Sequence, residues 1–261
     1  MFFFVFWFCH LGITDIDVEK KLSYTSVPED TVANEKKYYF LGLMGLSATG
    51  GWIYMNHSWY SYQEKSPFHR FDDSGEWFGM DKSGHFVTAY ILGHYGNKFF
   101  KATGFGKNVS TWMGGSMGFL FLLPFEFMDG TVKSYGFSDF DVLCNAGGAL
   151  AFIFQEKIWD DQWIKFKYSF FYTPYPSQRP EVLGRNLSEQ WLKDYNGHTH
   201  WLCIALTKNE NWKWLRLGLG YGIDGSIFGK NELNPNAIQQ FYISPDLDFS
   251  RIKIKNKFLK T

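Results

Sequence analysis

Three segments of the sequence place ionisable side chains at the ends of apolar runs, where such groups are unfavourable unless they pair with one another. The first segment, MDKSGHFVTAY, holds Asp81 and His85 four residues apart, which puts both on one face of a helix. The second segment is PFEFMDG and the third is GFSDFDVLCNAGG, each with two polar residues at helical spacing. Together they define a candidate polar cluster of Asp81, Lys82, His85, Glu126, Asp129, Asp141 and Asn145.

An imidazole surrounded by carboxylates can bind a polar head group, coordinate a metal ion or move protons. His85 would then be the base or a ligand, and the candidate metal ligands are His85, Glu126, Asp129 and Asp141. The same residues can instead form a satisfied network that fixes helix packing and performs no chemistry. No serine or cysteine with an evident base marks a nucleophile, so acyl transfer is disfavoured and no catalytic residue is assigned.

Two further motifs carry weaker signals. His198 and His200 in NGHTH would share one strand face, but no third metal ligand accompanies them, and surface histidines beside a turn are the more typical case. GLGYG (Gly218–Gly222) lacks the lysine and the strand–helix context of a phosphate-binding loop. The sequence therefore implies no cofactor.

Four apolar segments joined by polar loops would have to position the candidate cluster, which favours an antiparallel up-and-down bundle. In such a bundle the start of the second helix, the end of the third and the start of the fourth lie at one level. We therefore expect His85 to meet a carboxylate from the third or fourth helix. We expect Asp81 and Ser138 as N-caps and a kink at Pro124. The predicted helices are Tyr38–Asn56, Lys82–Tyr95, Thr111–Met128 and Ser138–Gln155.

Small residues recur along these segments and would let helices approach closely. The first segment carries them at three-residue spacing, and it runs for 19 residues without a charge, close to the ~20 that a spanning helix needs. We therefore expect a bundle that is embedded in a membrane or lies on it. The small residues are Gly42, Gly45, Ala48, Gly51, Gly114, Gly115, Gly118 and Gly148.

The rest of the chain differs in character. Residues 1–36 read as an apolar leader remnant and a polar linker, residues 37–160 as the bundle, and residues 161–261 as an extension. The segments HWLCIAL, WLRLGLGYGIDG and QQFYISPDLDF have strand-like composition. The predicted fold is therefore mainly α, with a C-terminal extension that contains an amphipathic helix and a few short antiparallel strands.

Composition restricts the function classes. The chain has 26 Lys+Arg against 26 Asp+Glu, and no basic run suggests a nucleic acid partner. Aromatic residues make up 21% of the chain, which suits a large core, a membrane–water interface or a wide protein interface. The three cysteines lack the spacing of a disulfide framework or a zinc site.

The order of the motifs DKSGHF, EFMDG and GFSDFDVLCNAGG resembles the YfiM-like family of predicted periplasmic lipoproteins, which is distantly similar to VanZ-like membrane proteins. The later LKDYNGHTHWL and FYISPDLDF resemble longer, Bacteroidetes-type members. The resemblance covers about residues 75–160. It implies a VanZ-like helical bundle in the bacterial cell envelope, in the outer membrane or at its periplasmic face, and no established reaction. The matching residues are Asp81, Lys82, His85, Phe86, Glu126, Asp129, Asp141, Asn145 and Gly148.

One feature departs from the lipoprotein members. Cys9 follows Val5-Phe6-Trp7-Phe8, which lacks the small residues of a lipidation box. The first functional hypothesis is a non-enzymatic, outer-membrane-associated protein that serves as an accessory or scaffold subunit of an envelope complex. The alternative is a binding protein or enzyme that acts on lipid head groups or lipid-linked glycans through the polar cluster. The expected partners are membrane lipid and other envelope proteins.

Overall fold

The structure, a computed structural model, describes residues 29–61 and 63–252. Cys9 and the apolar start of the chain lie outside the described residues. Among the described residues, the α-helices longer than three residues are α1 (Glu29–Met55), α2 (Met80–Ala102), α3 (Met117–Asp129), α4 (Asp139–Trp159), α5 (Pro180–Leu183) and α6 (Leu187–Lys193). The strands are β1 (Ile164–Phe170), β2 (His198–Ala205), β3 (Leu215–Asp224) and β4 (Ile238–Leu247).

The prediction of a mainly α fold, a VanZ-like bundle of about four helices, is wrong. The described chain combines helices with one antiparallel sheet in the order β1-β2-β3-β4. The segment IKFKYSF, which looks only amphipathic in the sequence, forms β1. Its aromatic residues alternate with lysine and serine, a period of two that fits a strand, and the flanking apolar residues hide that period.

The later strands follow the strand-like segments of the sequence. In β3 the alternating leucines lie on one face, and Leu219 is opposite Leu202 of β2. β4 continues through Pro245, which pairs with Leu217. A proline fits here because β4 is an edge strand, where a missing N–H donor need not break a ladder on both sides.

Both of the predicted N-caps lie at helix starts, but only one acts as a cap. Ser138 caps α4, because its Oγ accepts a hydrogen bond from the backbone N–H of Asp141 at 3.1 Å. Asp81 is not the N-cap of α2. That position belongs to Gly79, whose φ of 78° is left-handed and suits glycine. Asp81 therefore lies in the first turn, where the helix dipole favours a carboxylate and its side chain is available for other contacts.

The other helix boundaries also move. α1 begins at Glu29, inside the predicted polar linker. A π-helical turn, Ser110–Gly114, precedes α3, and Pro124 lies inside α3. None of the helices in the described part of the chain combines the length and the apolar character that crossing a bilayer requires.

Glycines bring α2, α3 and α4 close together, as the small-residue pattern predicts. A Cβ on Gly118 would lie 2.1 Å from the backbone oxygen of Ala89, and a Cβ on Gly148 would lie 2.1 Å from that of Phe86. Among the described residues, no atom lies within 4 Å of such a Cβ on Gly42 or Gly45 of α1. The expectation of close packing is therefore confirmed for α3 and α4 and is wrong for these two α1 positions.

The sheet is attached to the helices through α2. The Tyr90 hydroxyl donates to Gln162 Oε1 at 3.0 Å and is 3.1 Å from the Ile164 carbonyl at the start of β1. The ring of Phe166 on β1 packs edge-on against Phe86 and Tyr90, with ring centroids 4.8 and 5.0 Å apart. Strand β1 is thereby held against the side of α2 that carries Phe86 and Tyr90.

Candidate functional site

His85 lies where the start of α2, the end of α3 and the start of α4 meet. Its Nδ1 is 3.1 Å from Asn145 Oδ1 and 3.3 Å from Glu126 Oε1. Its Nε2 faces two carboxylates, with Asp81 Oδ1 at 3.7 Å and Asp141 Oδ1 at 3.9 Å. The partners of His85 thus come from α3 and α4, as antiparallel packing predicts, together with Asp81 of its own helix.

Lys82 is held by three carboxylates. Its Nζ is 2.7 Å from Asp73, 2.8 Å from Asp81 and 2.8 Å from Asp141. Asp73 comes from the loop before α2 and accepts a 2.7 Å hydrogen bond from Ser138 Oγ, the cap of α4. The ammonium group therefore joins the loop, α2 and α4 at one point.

Sequence reasoning missed several residues at this site. Tyr195, from the turn before β2, donates its hydroxyl proton to Asp81 Oδ1. Ser83 Oγ lies 2.6 Å from His200 Nδ1 and 2.9 Å from the Met80 carbonyl. A serine beside an imidazole is the arrangement of an activated nucleophile. However, burial lowers the pKa of His200 to about 4, which makes it a weak base.

The charges around His85 shift its pKa and those of its partners. Burial alone would lower the pKa of His85, but Asp141, Asp81 and Glu126 raise it to about 9. Burial raises the pKa of Glu126 to about 8, although His85 opposes this. At neutral pH His85 is therefore a cation and Glu126 is protonated.

The aspartates of the site differ from one another. Burial would raise the pKa of Asp81, but His85 and Lys82 outweigh it and lower the value to about 2. Burial, reinforced by Asp81, raises the pKa of Asp141 to about 7. Burial raises the pKa of Asp129 to about 7, against a hydrogen bond from Tyr60. Carboxyl groups outnumber cationic side chains by five to two in the set Asp73, Asp81, Glu126, Asp129, Asp141, Lys82 and His85.

The candidate cluster opens into a cavity of about 1770 Å³. One face of α2 lines this cavity from the first turn to the last, and its 22 residues from 81 to 102 correspond to about 30 Å of helix. Residues of α3 and β1, among them Phe125 and Phe166, also line the cavity. In chain order, the lining residues on the face of α2 that begins at Asp81 are Asp81, Gly84, His85, Thr88, Ile91, Leu92, Tyr95, Lys98, Phe99 and Ala102, and Val87, Tyr90 and His94 line the cavity from other sides of the helix.

Three of the candidate cluster residues have the mutual geometry of metal ligands. One ligand atom each from Asp81, His85 and Asp141 lies within 4.8 Å of the other two. Glu126, a predicted ligand, lies on the opposite nitrogen of His85. Asp129, also a predicted ligand, contacts Tyr60 and is outside this group of three.

His198 and His200 are both buried, so their interpretation as surface histidines beside a turn is wrong. The ring of His198 packs edge-on against Tyr168, Phe170 and Tyr195. Burial lowers the pKa of His198 to about 3. β2 therefore places two neutral imidazoles in the core, whereas the sequence had predicted that they are exposed to solvent.

This burial predicts an acid-dependent loss of stability. The unfolded chain binds a proton at His198 below about pH 6.5, whereas the folded chain does so only near pH 3. Stability from this group is thus present above pH 6.5 and lost as the pH falls. The free energy of unfolding is to be measured with urea at pH 7 and at pH 5. Between these two values it should fall by about 2 kcal/mol more in the parent than in His198→Phe. Equal losses in the two proteins would contradict this assignment.

Residues 70–157 match the family model described as predicted periplasmic lipoprotein (DUF2279). The matched range includes α2, α3, all but the last two residues of α4 and every residue of the candidate cluster. No curated protein and no solved structure matches the chain significantly. The match confirms the resemblance to a periplasmic lipoprotein family and the location in the bacterial cell envelope, whereas the VanZ-like and Bacteroidetes-type relations stay predictions.

Proposed function

We propose that this envelope protein is a non-enzymatic binding protein for an amphiphile, with the polar head group at the candidate cluster and the apolar tail along α2. A single observation carries the proposal. Along one face of α2, the side chains that line the cavity change from the ionisable Asp81 and His85 to the apolar Ile91 and Phe99. Binding pockets for small molecules combine apolar walls with a few polar groups that fix orientation.

Binding is favoured over catalysis by the protonation of the candidate cluster. A general base must be free of its proton near the working pH, and the pKa of His85 is about 9. The alternative, an enzyme acting on lipid head groups or lipid-linked glycans, would have to rely on Glu126 as a proton donor. Its carboxyl group has a pKa of about 8.

The proposal predicts an affinity that depends on tail length. Each buried CH₂ contributes about 0.8 kcal/mol, so dodecyl maltoside should bind up to about 200-fold more tightly than octyl maltoside. We expect at least a tenfold difference by isothermal titration below the critical micelle concentrations. Thr88→Trp, which fills the cavity in the middle of the α2 face, should lower dodecyl maltoside affinity at least tenfold.

Thr207→Trp is the matched control, because Thr207 does not line the cavity. This variant should bind dodecyl maltoside as tightly as the parent. Equal affinities for the two tail lengths, or unchanged binding by Thr88→Trp, would refute the proposal.

The second candidate is an accessory or scaffold subunit of an envelope complex. It is supported by apolar side chains that are exposed along the outer face of α4, namely Phe140, Leu143, Phe154 and Ile158. Exposed apolar faces of this kind are typical of surfaces that bind protein or membrane. Light scattering in detergent-free buffer tests it: the candidate predicts association, and a soluble monomer would contradict it.

A further inference from the structure

We infer that Asp81, His85 and Asp141 form a binding site for a divalent transition metal ion at the polar end of the cavity. His85 Nε2 lies 3.7 Å from Asp81 Oδ1 and 3.9 Å from Asp141 Oδ1. Ligand atoms about 2.0–2.3 Å from one ion lie roughly 3–4 Å apart. The three atoms therefore need only a small contraction to share an ion.

The other nitrogen of His85 is already oriented as metal-binding histidines require. Its Nδ1 faces Asn145 Oδ1 at 3.1 Å and Glu126 Oε1 at 3.3 Å. A carboxylate or amide oxygen on one ring nitrogen fixes the tautomer and points the second nitrogen at the ion. At Nε2, by contrast, the distances to Asp81 Oδ1 and Asp141 Oδ1 both exceed the length of a hydrogen bond.

A second, independent observation also indicates a missing ligand. Glu126 is only 1% exposed, and its Oε1 has no hydrogen-bond partner among the described residues. Buried polar atoms are normally satisfied, so an unpaired carboxylate oxygen beside the imidazole indicates an incomplete site. A metal ion would displace the proton that His85 carries on Nε2 at neutral pH, leaving Nδ1–H to donate to Asn145 Oδ1 or Glu126 Oε1.

Lys82 contacts both of the proposed carboxylate ligands, but it does not use all of their lone pairs. Its Nζ contacts Asp81 through Oδ2 and Asp141 through Oδ1. A carboxylate oxygen has two lone pairs, so Asp141 Oδ1 can serve both cations. One imidazole with two carboxylates suits Zn²⁺ or Mn²⁺.

The experiment is a Zn²⁺ titration of chelator-free protein by calorimetry, without any amphiphile. The parent should bind one equivalent. Asp141→Asn and His85→Gln should each lower the affinity at least 100-fold, and Glu126→Gln about 10- to 100-fold through its effect on the ring. Co²⁺ should give a visible absorption band in the parent that His85→Gln lacks.

Two controls locate the effect. Glu181→Gln removes a carboxylate that lines the same cavity, and His198→Phe removes one of the two histidines of β2. Both variants should bind Zn²⁺ like the parent. No Zn²⁺ uptake by the parent, or unchanged uptake by Asp141→Asn, overturns the site. Circular dichroism verifies folding; if His85→Gln does not fold, Asp141→Asn and Glu126→Gln decide.

The tests of the metal site and of the proposed function have separate outcomes. Dodecyl maltoside binding is measured in EDTA, where a metal ion cannot contribute. Zn²⁺ binding without tail-length dependence would support the metal site alone. Tail-length dependence without Zn²⁺ uptake would overturn the metal site and leave the proposed function standing.

Discussion

Replacing Lys82 by methionine is expected to lower the free energy of unfolding by about 3–5 kcal/mol, the cost of removing one partner from a buried ion set. The ammonium group is the shared counter-ion of Asp73, Asp81 and Asp141, all within 2.8 Å. Methionine fills similar space but leaves these carboxylates without compensation. Urea unfolding followed by tryptophan fluorescence at pH 7 measures the loss.

Lys133→Met is the control for Lys82→Met. Lys133 forms a 3.0 Å ion pair with Glu64, but both side chains are exposed, so the loss should stay below about 1 kcal/mol. The deficit of Lys82→Met should also shrink at pH 5, because Asp141, whose pKa is about 7, is then protonated and needs no counter-ion. Similar losses for the two variants would show that the three-carboxylate contact contributes no more than a surface pair.

The second large effect is expected at Gly148, where alanine should destabilise the protein by about 3 kcal/mol. Its Cβ would lie 2.1 Å from the Phe86 oxygen and 3.0 Å from the Tyr90 nitrogen. These are backbone atoms of α2, so the overlap is relieved only if α2 and α4 move apart, at the upper end of overpacking costs. The loss would occur even though alanine favours a helix over glycine by about 1 kcal/mol.

Gly147→Ala is the matched control for Gly148→Ala. Its Cβ would meet only the Phe86 ring, at 3.3 Å, and a side chain can shift where a backbone cannot. Its stability in the same urea experiment should therefore remain within about 1 kcal/mol of the parent. Comparable losses for the neighbouring glycines would mean that the α2–α4 contact tolerates an added methyl group.

The meeting of His85 with groups from three helices could be predicted because helical spacing and short connections act together. Each motif placed its polar residues on one helix face, and antiparallel packing then left few ways to arrange the helix ends. Asp73 and Tyr195 could not be predicted this way. Asp73 lies in an irregular loop, and Tyr195 reaches Asp81 across 114 residues through the sheet.

The fold was harder to predict than the site. The strand-like composition of β2, β3 and β4 was visible, but β1 was hidden because its alternating lysines and aromatics merge with apolar residues on both sides. The start of α2 was misplaced by two residues, because Asp81 has the side chain of a cap, whereas the chain enters the helix at Gly79 through a left-handed conformation that glycine adopts without strain. At both positions the local sequence preference differed from the conformation that tertiary packing requires, and packing determined the secondary structure.

The hydrogen bond from Tyr195 to Asp81 has a consequence for how the two layers of the protein communicate. The tyrosine precedes the first residue of β2 by only three positions, so its hydroxyl ties one corner of the sheet to the first turn of α2. Any molecule that competes for that oxygen must also release this corner. A change in the hydrogen bonds of Asp81 is therefore coupled directly to the position of this corner of the sheet.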